Sequence, residues 1–295
     1  MQVVVFGAGS LGSLIGGLLA DEHDVTLVGR EPHVGAVRER GLEITGEIET
    51  TTRPDAATTV PGSAELAIVT VKSYDTAEAA RALWAADPDV VLSLQNGLGN
   101  EETLAGTLNG TVLAGTCTYG ARLVEPGVVE CTGVGTVTLG SRSGGRSDAA
   151  ERTGSAFERG GIDTTVATDM PRRLWEKLAI NAGINAITAL ARVENGALRD
   201  GPASEIAARA AREVARVARA SGIDLADERA VSALEGVVET TAPNRSSMYQ
   251  DLVAERRTEI DAINGAVIER ASVPVPVNET LTGLVRAWER ERNVR

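Results

Sequence analysis

Ten residues near the start, Val3-Val4-Val5-Phe6-Gly7-Ala8-Gly9-Ser10-Leu11-Gly12, constrain the fold of this chain more than any other stretch. The unbroken apolar run suits a strand buried on both faces of a parallel sheet. A G-x-G-x-x-G pattern follows at once, and Leu11 to Ala20 reads as a helix. In that setting Gly7 permits a tight turn, Gly9 lets the backbone approach a pyrophosphate, and Gly12 lets the helix pack closely on the strand. Ala8, Ser10 and Leu11 complete the loop. The helix N-terminus offers N–H groups and a partial positive charge to phosphate. A dinucleotide site is therefore expected on Gly7 to Gly12.

The alternation continues. Val25 to Val28 and Val90 to Leu94 read as strands, and Pro32 to Arg40 as a short helix. Leu66 to Val71 reads as a buried strand ended by Lys72. Asp75 to Ala85 reads as a helix with Asp75 as its N-cap. Leu42 to Thr59, rich in Thr and Glu, suggests antiparallel edge strands. Short strands separated by Gly fill 112 to 139. After about residue 168 the pattern becomes helical and Ala-rich, beginning at Met170-Pro171 and broken near Gly201-Pro202 and Ala242-Pro243-Asn244. The expected fold class is an α/β Rossmann domain over 1–168, followed by an all-helical domain of roughly five to seven helices over 169–295.

The tip of the second strand discriminates between cofactors. An acidic side chain there would accept from a ribose 2′-OH, as NAD requires. This strand ends Val28-Gly29-Arg30, so Arg30 can instead pair with a 2′-phosphate. That favours NADP, with NAD as the alternative because Glu31 follows directly.

The 41 acidic against 29 basic residues give a net charge of -12. Such a surface repels a nucleic-acid backbone. No apolar run approaches a membrane span and no signal peptide is visible, so a soluble cytoplasmic protein is expected. Cys117 and Cys131 show no metal-ligand spacing and read as small core residues. Nearly every basic residue is Arg; Lys occurs only at 72 and 177. The Arg bias with strong acidity suits either a salt-rich cytoplasm or GC-rich codon usage.

Retained lysines point to a task Arg cannot do, because only Lys has a tunable pKa. Lys72 falls where ligands bind in such sheets, beyond the carboxyl ends of the strands. Lys177, Asn181 and Asn185 recur at i+4 and share one helix face. Asn is a mediocre helix former, so two at this spacing ask for a reason. An amine with two amides can hold a carbonyl, a hydroxyl and a carboxylate. His23 and His33, the only histidines, lie near the second strand, which leaves Lys177 as the candidate general acid.

With these residues in place, the chain resembles the ketopantoate reductase family over nearly its whole length. The resemblance rests on Gly7 to Gly12, Val71-Lys72, Gln95-Asn96-Gly97-Leu98-Gly99, and Leu174-Trp175-Glu176-Lys177-Leu178 with Asn181 and Asn185. It extends through Asn195-Gly196, Ser246-Ser247-Met248-Tyr249-Gln250-Asp251, Thr258-Glu259-Ile260-Asp261-Ala262-Ile263-Asn264-Gly265 and Val275-Pro276-Val277-Asn278. It implies NADPH-dependent reduction of 2-dehydropantoate to pantoate, for pantothenate and coenzyme A biosynthesis, in a cleft between the two domains. It implies that Arg30 and Lys72 hold cofactor phosphate or ribose, that Asn96 touches cofactor and substrate, and that Ala121 lines the cofactor site. Lys177 would protonate the carbonyl oxygen. Asn181, Asn185 and Asn195 would contact the substrate, Asn244 and Ser247 its carboxylate, and Glu259 would orient both partners from three turns beyond Ser247. The partners expected are a small 2-oxoacid and, as oligomer, a homodimer. Reduction of another 2-oxoacid or β-hydroxyacid, and a non-catalytic NADP sensor, stand as alternatives.

Overall fold

The structure, a computed structural model, describes Met1–Arg295. The chain divides into two compact units. One comprises Met1–Gln95 and Asn100–Met170, the other Asn96–Gly99 and Pro171–Arg295. No helix is long and apolar enough to cross a membrane.

The first unit runs β1 (Gln2–Phe6), α1 (Ser10–Leu19), β2 (Asp24–Val28), α2 (His33–Arg40), β3 (Leu42–Gly46), β4 (Thr50–Thr52), β5 (Asp55–Ala57) and β6 (Leu66–Val69). It continues with α3 (Thr76–Leu83), β7 (Val90–Ser93), α4 (Asn100–Ala105), β8 (Thr111–Cys117), β9 (Gly120–Glu125), β10 (Val128–Gly133), β11 (Val137–Ser141), α5 (Asp148–Arg159) and β12 (Thr164–Val166). The main sheet has the order β12-β11-β8-β7-β6-β1-β2-β5, and its members from β5 to β8 are parallel. Chain direction across the sheet reverses between β1 and β6, which makes their carboxyl ends the topological switch point of a Rossmann fold.

Alternation along the strands divides the core. Val3, Val5, Leu66, Ile68 and Leu92 pack on one face with Leu14, Ile15 and Leu19 of α1 and Phe157 of α5. Val4, Ala67, Val69 and Val91 pack on the other with Ala79, Ala80, Leu83 and Leu104. That is the period-two register of strands covered on both sides.

Three local expectations are corrected. Of the segment 42–59, only β3 and β4 pair antiparallel, in a second sheet ordered β4-β3-β10-β9. β5 pairs parallel with β2 at the edge of the main sheet instead, placing Ala56 in the core. β6 stops at Val69, because Thr70 turns its hydroxyl onto the Gly7 carbonyl at 2.9 Å, so Lys72 lies in the following loop rather than at the strand tip. Asp75 stands at the start of α3 but makes no side-chain cap there.

The second unit contains α6 (Met170–Ala191), α7 (Gly201–Ala220), α8 (Asp227–Thr240), α9 (Ser247–Val253), α10 (Ala266–Arg270) and α11 (Pro276–Glu291). Its core is almost wholly aliphatic, with ten buried alanines from α6, α7 and α8 among Leu, Ile and Val. A buried polar network ties four elements together. The Glu213 carboxylate on α7 accepts from the N–H groups of Val277 and Asn278 and, at 2.7 Å, from the Asn278 amide. Asn278 in turn accepts from Asn264, whose amide also donates to the Ala182 carbonyl of α6 at 3.1 Å.

Both histidines are structural. His23 bonds the Ala156 carbonyl through Nε2. The His33 Nδ1 accepts from the Gly127 N–H at 3.0 Å, so Nε2 carries the proton and donates to Ser13 at 2.9 Å. Burial holds the His33 pKa below its ordinary value. The unfolded chain therefore takes up the proton first, and stability should be full above about pH 6.5 and fall as the pH drops below it. His33→Gln, which cannot titrate, should flatten that slope in urea midpoints measured from pH 8 to 5.5.

Candidate active site

In the first unit the glycine loop is built by close approach. Gly7 has φ +110, and a Cβ there would meet Val71 at 2.8 Å. A Cβ on residue 12 would stand 2.2 Å from the Gly7 carbonyl oxygen and 2.5 Å from the Thr70 hydroxyl. Gly9, by contrast, is exposed, and a Cβ there would come no nearer than 3.9 Å to another atom, an ordinary contact with the Gly7 carbonyl oxygen. It forms the N-cap of α1, with no side-chain cap and no acid in the first turn. The leading amides thus have no intrahelical partner and face no competing carboxylate. An anion approaching Gly9 meets these amides and the positive end of the helix. The residues present fit a dinucleotide phosphate.

The loop's surroundings agree with that fit. Ala8 is buried, while Ser10 and Leu11 are half-buried. The Ser10 hydroxyl accepts from the Leu123 N–H of β9 at 3.0 Å, which brings β9, and Ala121 on it, beside the loop. Arg30 is exposed just past β2, its guanidinium 4.0 Å from Asp75. Glu31 is turned away, bonding the Gly35 N–H and Arg38 at the start of α2. The Glu31 carboxylate is thus engaged within its own segment. Lys72 is half-buried in the loop after β6.

In the second unit α6 is continuous through Lys177, Asn181 and Asn185, so the three positions share a face. Lys177 and Asn181 are half-buried and Asn185 is buried. Thr188 extends the stripe, and its hydroxyl is 2.8 Å from that of Ser246. The Ser246 hydroxyl also caps α9 by accepting from Tyr249 N–H. This pair pins the segment 244–247 against the Asn185 end of the stripe. Ser247, the first residue of α9, is exposed, as is Asn244. Asn195 is buried; its N–H donates to the Asn244 carbonyl at 2.9 Å and its amide to Thr241 at 2.9 Å.

Asn96 packs with this unit, not with the sheet that precedes it. Its amide donates to the Glu259 carboxylate at 3.3 Å. Leu98 N–H donates to the Ala262 carbonyl, and Gly97, at φ +85, approaches that carbonyl so closely that a Cβ would lie 2.4 Å away. Glu259 is not on the Ser247 helix as expected. α9 ends at Val253, and Glu259 opens a separate turn that continues into a π-helix, Asp261–Gly265. Such bulges recur at functional sites. Thr258, on its other side, donates twice to the buried Glu289 carboxylate. Burial pushes the Asp261 carboxyl upward, but hydrogen bonds from Arg286 and Arg295 outweigh it and hold the carboxyl below its ordinary range.

Sequence reasoning missed Thr188, Ser246 and Glu289. Thr188 could have been found by continuing the stripe one further turn, at i+3 from Asn185. Ser246 could have been found as an N-cap, since Ser is a preferred cap residue. No sequence signal marks Glu289 as the partner of Thr258.

The family model for ketopantoate reductase PanE/ApbA matches residues 3–144, and that for the ketopantoate reductase PanE/ApbA C terminal matches 169–289. The chain is 48% identical to the 2-dehydropantoate 2-reductase of Halobacterium salinarum, covering 99% of this chain and 100% of the relative. It is 40% identical to that of Pyrococcus horikoshii, covering 98% of each. The structure of a PanE/ApbA family ketopantoate reductase from Ralstonia eutropha superposes with a TM-score of 0.91 at 32% identity, over 99% of this chain and 100% of that one. D-mandelate dehydrogenase with NADH and anilino(oxo)acetate superposes at 0.92 with 27% identity over the whole of both chains.

Gly12→Ala tests the close approach directly. Forcing a Cβ against the Gly7 carbonyl should cost about 1–3 kcal/mol of stability, read by urea unfolding. It should also displace α1 from the loop and weaken dinucleotide binding, read by cofactor fluorescence. Unchanged stability and binding would show that the loop is not held by this contact.

Proposed function

This chain belongs to the ketopantoate reductase PanE/ApbA family, a family of oxidoreductases, and from that premise we propose that it reduces 2-dehydropantoate to pantoate with NADPH. The observation that carries the proposal is the α6 stripe: Lys177, one of two lysines in the chain, in line with Asn181 and Asn185, and the 244–247 segment pinned to its far end by Thr188 and Ser246. The product feeds pantothenate and coenzyme A synthesis. We read the protein as a soluble cytoplasmic enzyme, with a homodimer as the assembly to look for by light scattering.

The roles follow from the chemistry. Gly7, Ala8, Gly9, Ser10, Leu11 and Gly12 would hold NADPH, which when bound would supply the hydride. Gly9 and the α1 amides take the pyrophosphate, Arg30 and Lys72 the remaining phosphate and ribose groups, and Ala121 a wall of the site. At the substrate, negative charge builds on the ketone oxygen as C2 is reduced. The Lys177 ammonium stabilises that charge and delivers its proton from Nζ to the oxygen. Asn181, Asn185 and Asn195 hold the substrate's polar groups, and Asn244 and Ser247 its carboxylate. The Asn96 amide, fixed by Glu259, presents a donor oriented before substrate arrives.

NADPH is preferred over NADH in this reading because Arg30 is exposed while Glu31 is engaged with Gly35 and Arg38. A second reading, NADH-dependent reduction of a different 2-oxoacid, is favoured by the likeness to D-mandelate dehydrogenase with NADH. The acidic, Arg-rich composition further suits a salt-rich medium, so activity should persist or rise in molar KCl.

Absorbance of NADPH with 2-dehydropantoate, at low and molar KCl, tests the assignment. Lys177→Ala should lower kcat by about 10²–10⁴-fold while leaving NADPH affinity intact. Arg30→Ala should raise the KM for NADPH about tenfold, the value of one lost charge-assisted contact, and leave NADH unaffected. Equal losses with both cofactors would remove the 2′-phosphate role from Arg30. NADH turnover of another 2-oxoacid, with none of 2-dehydropantoate, would replace the first reading by the second.

A further inference from the structure

The stripe on α6 runs past Thr188 to Arg192, one turn later and just beyond the last helical residue. Arg192 holds φ +58, a left-handed conformation that helix ends usually give to Gly or Asn. The turn after it is zipped to the segment before α9: Asn195 N–H donates to Asn244 and Gly196 N–H to Ala242, both at 2.9 Å. An open cavity of about 400 Å³ lies here, walled in part by Arg192, Gly196, Ala242, Arg245 and Tyr249.

We propose that this cavity binds a small organic anion, a carboxylate or phosphate ester with an apolar body, and that its occupant tunes substrate binding. Arg192 and Arg245 are both exposed, and neither is in an ion pair. Glu194 is the single carboxylate in the wall, so the lining is net positive on a chain of net charge -12. Guanidinium forks match carboxylate and phosphate oxygens two at a time. Arg245 is stacked over the Tyr249 ring at 5.4 Å, which orients its N–H groups and leaves an aromatic surface for an apolar body. The volume falls within the range of small-molecule sites, about 300–1,000 Å³. The strained backbone at Arg192 adds weight, since such conformations gather at ligand sites.

Arg192 continues the α6 face that carries the stripe, but the cavity wall and the proposed substrate residues are different sets. Arg192 lies about 22 Å from Lys177 along the helix axis, farther than one 2-oxoacid spans. None of the proposed substrate residues is in its wall, yet the two sets interleave in sequence. Asn195 falls between Glu194 and Gly196, Asn244 between Ala242 and Arg245, and Ser247 between Arg245 and Tyr249. An occupant that stiffens one set therefore stiffens the backbone of the other. Only this tuning rests on the reductase reading; the binding does not.

Calorimetric titration of the full chain with phenyl phosphate, benzoate and neutral benzyl alcohol, at constant ionic strength, tests it. At least one anion should bind saturably at one site, and benzyl alcohol should not. Preference between the two anions assigns the phosphate or the carboxylate class. Arg245→Ala and Arg192→Gly, the latter keeping the left-handed turn, should each weaken binding about tenfold or more. The bound anion should shift the KM for the 2-oxoacid and leave kcat unchanged. No saturable anion binding, or binding indifferent to both variants, overturns the site. Equal weakening by Asn181→Ala places the probe on the substrate stripe and also overturns it. Binding with an unmoved KM overturns the tuning. Absence of all turnover removes the reductase reading, yet leaves the calorimetric result standing.

Discussion

The Gly7 carbonyl oxygen stands where the first side-chain atom of any other residue 12 would have to be. That contact brings the end of β1, the start of α1 and the Thr70–Val71 turn after β6 together at the reversal point of the sheet. The amides that greet an anion are aimed by it, and the loop carrying Lys72 starts from it. The same demand recurs among the helices. A Cβ on Gly183 would sit 2.1 Å from the end of the Leu234 side chain and 3.0 Å from the Ala207 carbonyl, so glycine there lets α6 lie close against α7 and α8. Only 3% of the chain is aromatic, and cores of Ala, Val and Leu reach full density by drawing backbones together.

Polar groups then decide how the close-packed helices are indexed. Glu213 is 2% exposed, and its carboxylate is satisfied by three N–H donors at the entry to α11. Through Asn278 and Asn264 this anchor reaches the carbonyl of Ala182, the residue directly after Asn181. Each hydrogen bond to such a buried charge is worth about 1.5–3 kcal/mol. Exposed pairs such as Arg199 with Glu239 contribute about 0–1 kcal/mol. The position of the α6 stripe therefore depends on the buried network, not on the many surface ion pairs of this charged chain. A parallel arrangement holds Glu259: Thr258 is anchored to Glu289 before it, and Asp261 to Arg286 and Arg295 after it.

Much of this was legible in advance. The glycine loop announced a strand, a turn and a helix because each glycine answers a steric need that local sequence displays. The i+4 spacing of Lys177, Asn181 and Asn185 announced a shared face because helical period is a local property. Long-range pairing was not legible. The β5 segment was read with its neighbours as antiparallel edge structure, but its Ala56 is buried beside β2, a partner some thirty positions earlier. Lys72 was expected at a strand tip, and the Thr70 hydroxyl bonding across to Gly7 ended that strand sooner. Ser247 attracted attention where its neighbour Ser246 makes the buried bond to Thr188.

The sequence by itself determined the Rossmann unit, the helical unit after it, and the polar stripe on α6, because these follow from residue volume, glycine placement and periodicity along short stretches. Only the tertiary structure decided that Asn96 pairs with Glu259, that a π-turn and not a continuation of α9 carries that carboxylate, and that Arg192 and Arg245 share a cavity. Those outcomes depend on which distant backbones meet, and on which buried donors and acceptors must then be satisfied. No window of local sequence contains that information.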